Sequence, residues 1–401
     1  MKTGLLDSPP AKTLAEYRAV GGLNALTKVL TLSPEEVVGM VFESGLRGKG
    51  GAGYPTGKKW SFLLGKNECV VVCNAAESEP GCEKDHYLGE EKPLIVLEGV
   101  LIAAAALAAK RCVVLVKRNS PRLSESFEKA LAELKAGKVA GAESLEVVLG
   151  TSHYLMGEES SIINLLNKKP PLPYRRPPYP AEKGVDGLPT LVNNAETFAN
   201  IPLIINLGAA EYATNASFLC TLHWQGKKKL VEARFGESIE QLAKRCKVPL
   251  DGVKACLTTP SGGFVPRELF TEPLDYDGYA RKGISFGSGA MIFLDENVSI
   301  PRQTLELTKF FGKWTCRQCK ECSKGIGIDA VAVLEAVCAG TATRHDYESL
   351  ASLSDATKGV VCGLAPAAGH AIRTATRFYA KEFEASLAGK TAGTDCWVEG
   401  L

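Results

Sequence analysis

Hydrophobic and polar positions change period along this chain. Residues 69–75 (CVVVCNA), 111–116 (RCVVLV) and 145–149 (LEVVL) are short, nearly continuous apolar runs rich in valine. That is the pattern of strands buried on both faces. Residues 93–109, opened by Pro93, and residues 121–136 read as helices between them. Strand, helix, strand, helix, strand in this rhythm predicts an α/β fold with a parallel sheet covered by helices. Upstream, Ser33-Pro34-Glu35-Glu36 is a capping box, with Ser33 as N-cap and Pro34 at the first helical position. It predicts a helix to about Glu43. The proline-rich stretch 170–180 has no periodicity and reads as an extended surface loop. Glu196 to Leu207 reads as a helix closed by Gly208.

The pattern shifts near Ala216. SFLCTLHW, KLVEARF and GAMIFL are short strands, Ile239–Arg245 is one helix, and turns fall at Gly226, Gly262-Gly263 and Gly287. From Pro301 to about Leu387 helical patterns dominate. The expectation is three domains, 1–215, 216–300 and 301–401, without an internal repeat.

Composition narrows the function. Across 401 residues, 47 basic and 45 acidic side chains nearly cancel, so no basic field points to nucleic acid. The longest uncharged apolar run, Gly99 to Ala109, has eleven residues, short of the ~20 of a membrane helix. The N-terminus has no hydrophobic stretch of signal-peptide length. A cytoplasmic protein with no direct membrane insertion is expected. Thirteen cysteines, an odd number, argue against a disulfide framework. Nine are scattered (Cys69, Cys73, Cys82, Cys112, Cys220, Cys246, Cys256, Cys338 and Cys396) and read as small buried hydrophobes.

Three segments carry candidate chemistry. Gly48-Lys49-Gly50-Gly51-Ala52-Gly53 is a literal G-x-G-x-x-G. A helix precedes it and Tyr54-Pro55 follows, so it is not the first turn of a Rossmann unit. Its glycines still let backbone N–H groups approach a ligand, and Arg47, Lys49, Lys58 and Lys59 add positive charge. A phosphorylated or planar aromatic ligand suits it; a flexible surface turn is the bland alternative. Asn74 to Gly81, with Glu77 and Glu79, follows the first strand. Gly157-Glu158-Glu159 opens a helix. Carboxylates at strand ends can accept hydrogen bonds from ribose hydroxyls, while Glu at a helix start also favours the helix by itself.

Cys316, Cys319 and Cys322 form C-x2-C-x2-C, and Cys362 follows after 39 intervening residues. Three thiolates from one loop and a remote fourth fit one [4Fe–4S] cluster. A four-thiolate zinc site is the competing reading, although such sites usually present two C-x2-C pairs. The five histidines share no ligand-like spacing, and no G-x-S-x-G is present.

At this point the chain resembles a known family. The run Ser44 to Trp60 is similar to the flavoprotein subunit of NADH:quinone oxidoreductase (respiratory complex I). So are Asn74 to Gly81, Tyr154 to Glu159, Pro177 to Ala181, Val192 to Thr197 and the cysteine set. The resemblance spans roughly residues 14–385. Homologues of this subunit serve NAD-linked hydrogenases, formate dehydrogenases and electron-bifurcating complexes. The resemblance implies a flavin-binding α/β sandwich, a β-grasp-like domain and a helical bundle holding the cluster. It implies FMN contacts at Gly48, Gly50, Gly51, Lys59, Asn74, Glu77, Gly157, Glu158, Asn193 and Asn194. It implies NADH contacts at Tyr54, Phe62, Glu79, Tyr154, Glu159, Arg176 and Tyr179. Glu79 and Lys59 are the candidates for electrostatic tuning of the reaction. NADH is oxidised through FMN and electrons leave singly through the cluster. The expected partners are a [2Fe–2S] thioredoxin-like subunit and a larger iron–sulfur or catalytic subunit. A scaffold that keeps the cluster without FMN is the non-enzymatic alternative.

The sequence departs from the family at four places. Ala76 stands where an Asp is usual, Tyr54 for Phe, and Arg176 for Lys. Trp314-Thr315 precedes the first cluster cysteine and Arg317 follows it, where Glu-Ser and Gly are common. Asn74-Ala75-Ala76-Glu77 with Asp85-His86 also resembles the C subunit of ion-translocating ferredoxin:NAD oxidoreductases.

Overall fold

A computed structural model describes residues 4–355, 359–390 and 393–394. The chain folds as two compact units. The first is Met1–Ser78 with Glu83–Leu219; the second is Glu79–Cys82 with Cys220–Leu401.

The first unit is built on four parallel strands. They are β1 (Cys69–Ala75), β2 (Ala109–Lys117), β3 (Leu145–Gly150) and β4 (Thr190–Asn194), in the order β3-β2-β1-β4. The helix Pro93–Ala106 crosses from β1 to β2, and Pro121–Ala136 from β2 to β3. Twelve of the 14 residues of the first of these are buried, so it has no polar face to turn outward. It lies against Ala195–Leu207 so closely that a Cβ on Gly99 would fall 2.0 Å from the Phe198 carbonyl oxygen. Only glycine permits that approach.

The chain leaves β1 towards β2 on one side, and β4 returns on the other. The carboxyl ends of β1 and β4 therefore flank a point where the connections diverge. Open α/β sheets bind their ligands in the crevice such a point creates.

The second unit contains most of a five-stranded sheet, β6-β5-β9-β7-β8. Its strands are β5 (Ser217–Trp224), β6 (Lys227–Arg234), β7 (Val253–Leu257), β8 (Phe264–Pro266) and β9 (Ala290–Asp295). Gln225 and Gly226 both have positive φ and join β5 to β6 as a two-residue hairpin turn. Outermost β6 begins with the exposed run Lys227, Lys228 and Lys229. The helices Ile300–Lys313, Val331–Ala339, Arg344–Asp355, Leu364–Phe378 and Ala380–Leu387 follow, with a π-helix at Glu321–Ala330.

Most expected elements stand where the pattern put them. The Ser33 capping box forms and opens Pro34–Glu43. The helix expected over 93–109 stops at Ala106 because Ala108 turns to φ 52 and the chain enters β2. Strands β7 and β8 and the helices Thr56–Ser61, Lys84–Glu91 and Tyr276–Arg281 had no clear sequence pattern. Of the scattered cysteines, Cys69, Cys73, Cys82, Cys112, Cys220, Cys246 and Cys256 are buried. Cys338 is half-buried, and Cys396 lies outside the described residues. No described helix is long and apolar enough to cross a membrane.

Candidate functional site

The glycine loop is closed at its base. Gly48 N donates to Tyr54 O at 2.9 Å and Thr56 N to Leu46 O at 2.8 Å. Gly51 and Gly53 hold φ values of 107° and 61°, which only glycine adopts without strain. Lys49, one of the four cations expected to add positive charge around the loop, is turned inward. It is 5% exposed, and its Nζ donates to Ser217 O at 2.9 Å. Its backbone N–H donates to Thr197 Oγ1 at 2.9 Å, stapling the loop to the helix after β4. A Cβ on Gly50 would lie 3.4 Å from Asn194 Cβ. The loop thus runs along the carboxyl end of β4.

Thr56–Ser61 carries Lys59 and Trp60 to the same edge. Lys59 Nζ donates to Val192 O at 2.7 Å and pairs with Glu159 Oε1 at 2.5 Å. The Asn193 amide, oriented by its neighbours, accepts from Trp60 Nε1 at 3.0 Å. Gly57 makes this placement possible, because a Cβ there would meet the Phe42 backbone at 2.2 Å.

The loops after β1 and β3 meet beside it. Asn74 Nδ2 donates to Gly157 O at 2.8 Å, and Asn74 Oδ1 accepts from Ala76 N at 3.1 Å. A Cβ on Gly157 would lie 3.3 Å from Ala76 O. The Glu77 carboxylate accepts from Asp85 N and His86 N, both at 3.3 Å. Burial, reinforced by the charge of Asp85, pushes the Glu77 carboxyl up to about 8. Glu158 caps Glu159–Leu166, its Oε2 accepting from Ser160 N at 2.8 Å and Ser161 N at 3.0 Å. The bland reading of Glu158 as helix-start charge therefore holds for one oxygen. Its Oε1 accepts from Arg176 Nη2 at 2.9 Å, and that same nitrogen lies 3.2 Å from Glu159 Oε2.

Three of the aromatic candidates, Tyr54, Phe62 and Tyr179, are about half-exposed in the first unit. Tyr154 opens the short 3-10 turn that ends at Gly157. Glu79 belongs instead to the second unit, where its Oε1 accepts from Ser261 N at 2.8 Å.

In the second unit, Cys316 and Cys319 lie between Ile300–Lys313 and the π-helix, and Cys322 lies within its first turn. Val361 N donates to Cys319 Sγ at 3.3 Å, which brings the Cys362 loop to the other three. Burial pushes the Cys322 thiol up; a hydrogen bond with Thr315 opposes this, and the nearby charges of Cys316 and Cys319 add to it. Among the described residues no three His, Cys, Asp or Glu side chains converge as ligands of a single metal ion. Thiolates that each hold a separate iron atom need no such convergence.

Residues 41–203 match the Nuo51 FMN-binding domain, and residues 302–386 match the NADH-ubiquinone oxidoreductase-F iron–sulfur binding region. The NADH-quinone oxidoreductase F subunit of Aquifex aeolicus is 32% identical, over 94% of this chain and 92% of that protein. Its counterpart in Escherichia coli is 31% identical over 96% and 92%. The chain belongs to the family of NADH-quinone oxidoreductase F subunits. A solved NAD+-reducing [NiFe]-hydrogenase in its H2-reduced state is also similar. The TM-score is 0.80 at 28% identity, and the match covers 90% of this chain and 66% of the hydrogenase chain.

As a member of that family, the chain is a flavin-dependent NADH dehydrogenase module of a multisubunit complex. It has an FMN-binding domain and a [4Fe–4S] binding region. The residues present suit both groups. Gly50 and Gly157 stand where a Cβ would crowd Asn194 and Ala76, leaving backbone against the edge of the sheet. Cys316, Cys319 and Cys322 lie within seven residues, and Val361 N on Cys319 Sγ brings the residue before Cys362 to them, a donor set of soft thiols. Three charged residues at the β1/β4 edge escaped the sequence reading of site residues. Lys84, Asp85 and Glu196 are nearly fully buried there. The visible signal was a Lys-Asp pair eight residues past Ala76, with no periodic reason to be inside.

Proposed function

We propose that the carboxyl edge of β1 and β4 holds FMN and the adenine nucleotide, and that Cys316, Cys319, Cys322 and Cys362 hold one [4Fe–4S] cluster. When bound, FMN takes a hydride from NADH and the cluster passes electrons on one at a time. The chain's own residues bind and orient. Backbone N–H groups of Gly50 and Gly51 would hold the flavin phosphate or ring, Gly48, whose own N–H closes the loop onto Tyr54 O, would allow the close approach, and Lys59 would supply positive charge beside them. Asn74, Glu77, Gly157, Glu158, Asn193 and Asn194 form the rest of the flavin bed. Tyr54, Phe62, Tyr154 and Tyr179 offer rings for stacking on the nucleotide. Arg176 and Glu159 address its ribose and phosphates. Glu79 is assigned to NADH by the resemblance, as a tuning charge with Lys59.

The observation that carries this reading is the meeting of the glycine loop, Lys59 and the Asn74–Glu77 and Gly157–Glu159 segments at one sheet edge. The chain is best divided at 1–215, 216–300 and 301–401. Electrons leave to a [2Fe–2S] thioredoxin-like subunit and a larger iron–sulfur or catalytic subunit, in the cytoplasm. The acceptor is a quinone-reducing complex; the hydrogenase likeness favours a second reading, in which the same module serves a hydrogenase. Purified protein supplied with FMN should carry about one FMN per chain and reduce ferricyanide with NADH. Colourless protein with a full iron content would refute the reading and leave the scaffold alternative.

A further inference from the structure

Beneath the proposed flavin edge lies a closed set of buried charges. Lys84 is 1% exposed, Asp85 3% and Glu196 1%. Lys84 Nζ pairs with Asp85 Oδ1 at 2.8 Å and with Glu196 Oε2 at 3.2 Å, and donates to Asn194 Oδ1 at 3.1 Å. Asp85 Oδ2 accepts from Asn194 Nδ2 at 2.6 Å. Asn194 Oδ1 also accepts from Glu196 N at 3.0 Å, and its Nδ2 reaches Asn74 O at 3.5 Å. The Asn194 amide thus has a partner for each of its two lone pairs and two protons. Its side chain is held by the protein and lies with Cβ and Cγ against Gly50 of the glycine loop. Glu196 Oε1 accepts from Leu219 N at 2.7 Å; burial pushes its carboxyl up, and the charges of Lys84 and then Lys49 oppose that.

We propose that Lys84 and Asp85 are positioning residues of the flavin site: through Asn194 they fix the glycine loop against β4, and they set the charge beneath the flavin. This rests on the reading that the β1/β4 edge holds FMN. Two cations, Lys49 and Lys84, face two carboxylates, Asp85 and Glu196. Removing one member leaves an uncompensated charge in a poorly screened region. Reduction adds electrons to the flavin, so an uncompensated negative charge there disfavours reduction and an uncompensated positive charge favours it. Loss of the cation and loss of the anion must therefore move the flavin potential in opposite directions. Loss of packing alone has no such sign.

The test uses full-length protein loaded with FMN and three variants: Lys84→Gln, Asp85→Asn and the two combined. FMN dissociation is followed by recovery of free-flavin fluorescence, and the midpoint potential by anaerobic reductive titration against dyes. Lys84→Gln is expected to shift the potential negative and Asp85→Asn positive, with the double variant returning towards wild type. Each single variant should weaken FMN binding at least tenfold. If Lys84→Gln does not fold, Lys84→Arg replaces it: with the charge kept, its potential should stay near wild type while FMN binding weakens. Shifts of the same sign in Lys84→Gln and Asp85→Asn, an unmoved potential in either of these when it binds FMN, or a shifted potential in Lys84→Arg overturns the inference. A wild type that takes up no FMN overturns the reading of the edge as well, and is distinguished by failing before any substitution.

Discussion

The proposed flavin edge and the cysteine site solve the same problem, holding a redox group, by opposite means. At the flavin edge the polar side chains are already engaged with one another. Asn194 has four protein partners, Lys59 two and Glu158 four backbone or side-chain donors in fixed geometry. At the cysteine site Cys316, Cys319 and Cys362 are only partly buried, and Cys319 and Cys322 are tied to their surroundings by single hydrogen bonds at sulfur, from Val361 N and with Thr315. A flavin held by many weak contacts needs its donors pre-aimed. Thiolate–iron bonds are strong enough that the chain need only deliver four sulfurs to one neighbourhood. The first site is thus made by folding, and the second is completed by its metal.

The sharpest way to break this contrast is at a cysteine. Cys319→Ala should abolish the cluster's EPR signal and most of the bound iron while leaving FMN content unchanged. Cys338→Ala should alter neither. Loss of FMN in Cys319→Ala would mean that the two sites depend on each other for folding. A smaller effect is expected from Gly57→Ala. The added methyl meets the Phe42 backbone at 2.2 Å, so the Lys59 helix must move. Overpacking of this kind costs about 1–3 kcal/mol. FMN affinity should fall with the thermal midpoint, and iron content should hold; an unchanged flavin affinity would remove Lys59 from the flavin site.

Glu159 tests nucleotide choice at the same edge. Its carboxylate already shares Arg176 with Glu158, so a 2′-phosphate would meet two acidic groups and a guanidinium already engaged by both. NADH should be preferred to NADPH. Glu159→Gln should improve NADPH use by roughly 1–3 kcal/mol in kcat/KM and keep NADH use within about tenfold. An unchanged ratio would move discrimination elsewhere.

The smallest effect concerns pH. Glu77 titrates from an ordinary 4.5 up to about 8 in the folded chain, through burial first and Asp85 second. The folded state keeps a proton that the unfolded chain releases. Its contribution to stability is full below about 4.5 and is lost as pH rises through about 8. Glu77→Gln should flatten the fall of the thermal midpoint across that window. An equal slope in the variant would assign the fall to other groups.

The scaffold was readable because valine runs and the Ser33 capping box are local signals. The cysteine spacing was equally plain, since three ligands lie within seven residues. The burial of Lys49 was not legible because nothing local says that its side chain turns inward to Ser217, 168 positions away. The Lys84–Asn194 bond spans 110 positions and left no periodic trace. Val253–Leu257 was overlooked because it is a short run broken by Lys254, whose ammonium pairs with Glu382.

The lysines at the start of β6 bear on how the chain behaves before it is assembled. An outermost strand offers unpaired backbone groups to any passing strand, and copies of one chain are the most abundant strangers of matching register. Three consecutive exposed positive charges, Lys227 to Lys229, put like charge opposite like charge in a parallel, in-register pairing of two copies. While the chain awaits flavin, iron and its complex, that repulsion keeps its own copies from adding to the sheet.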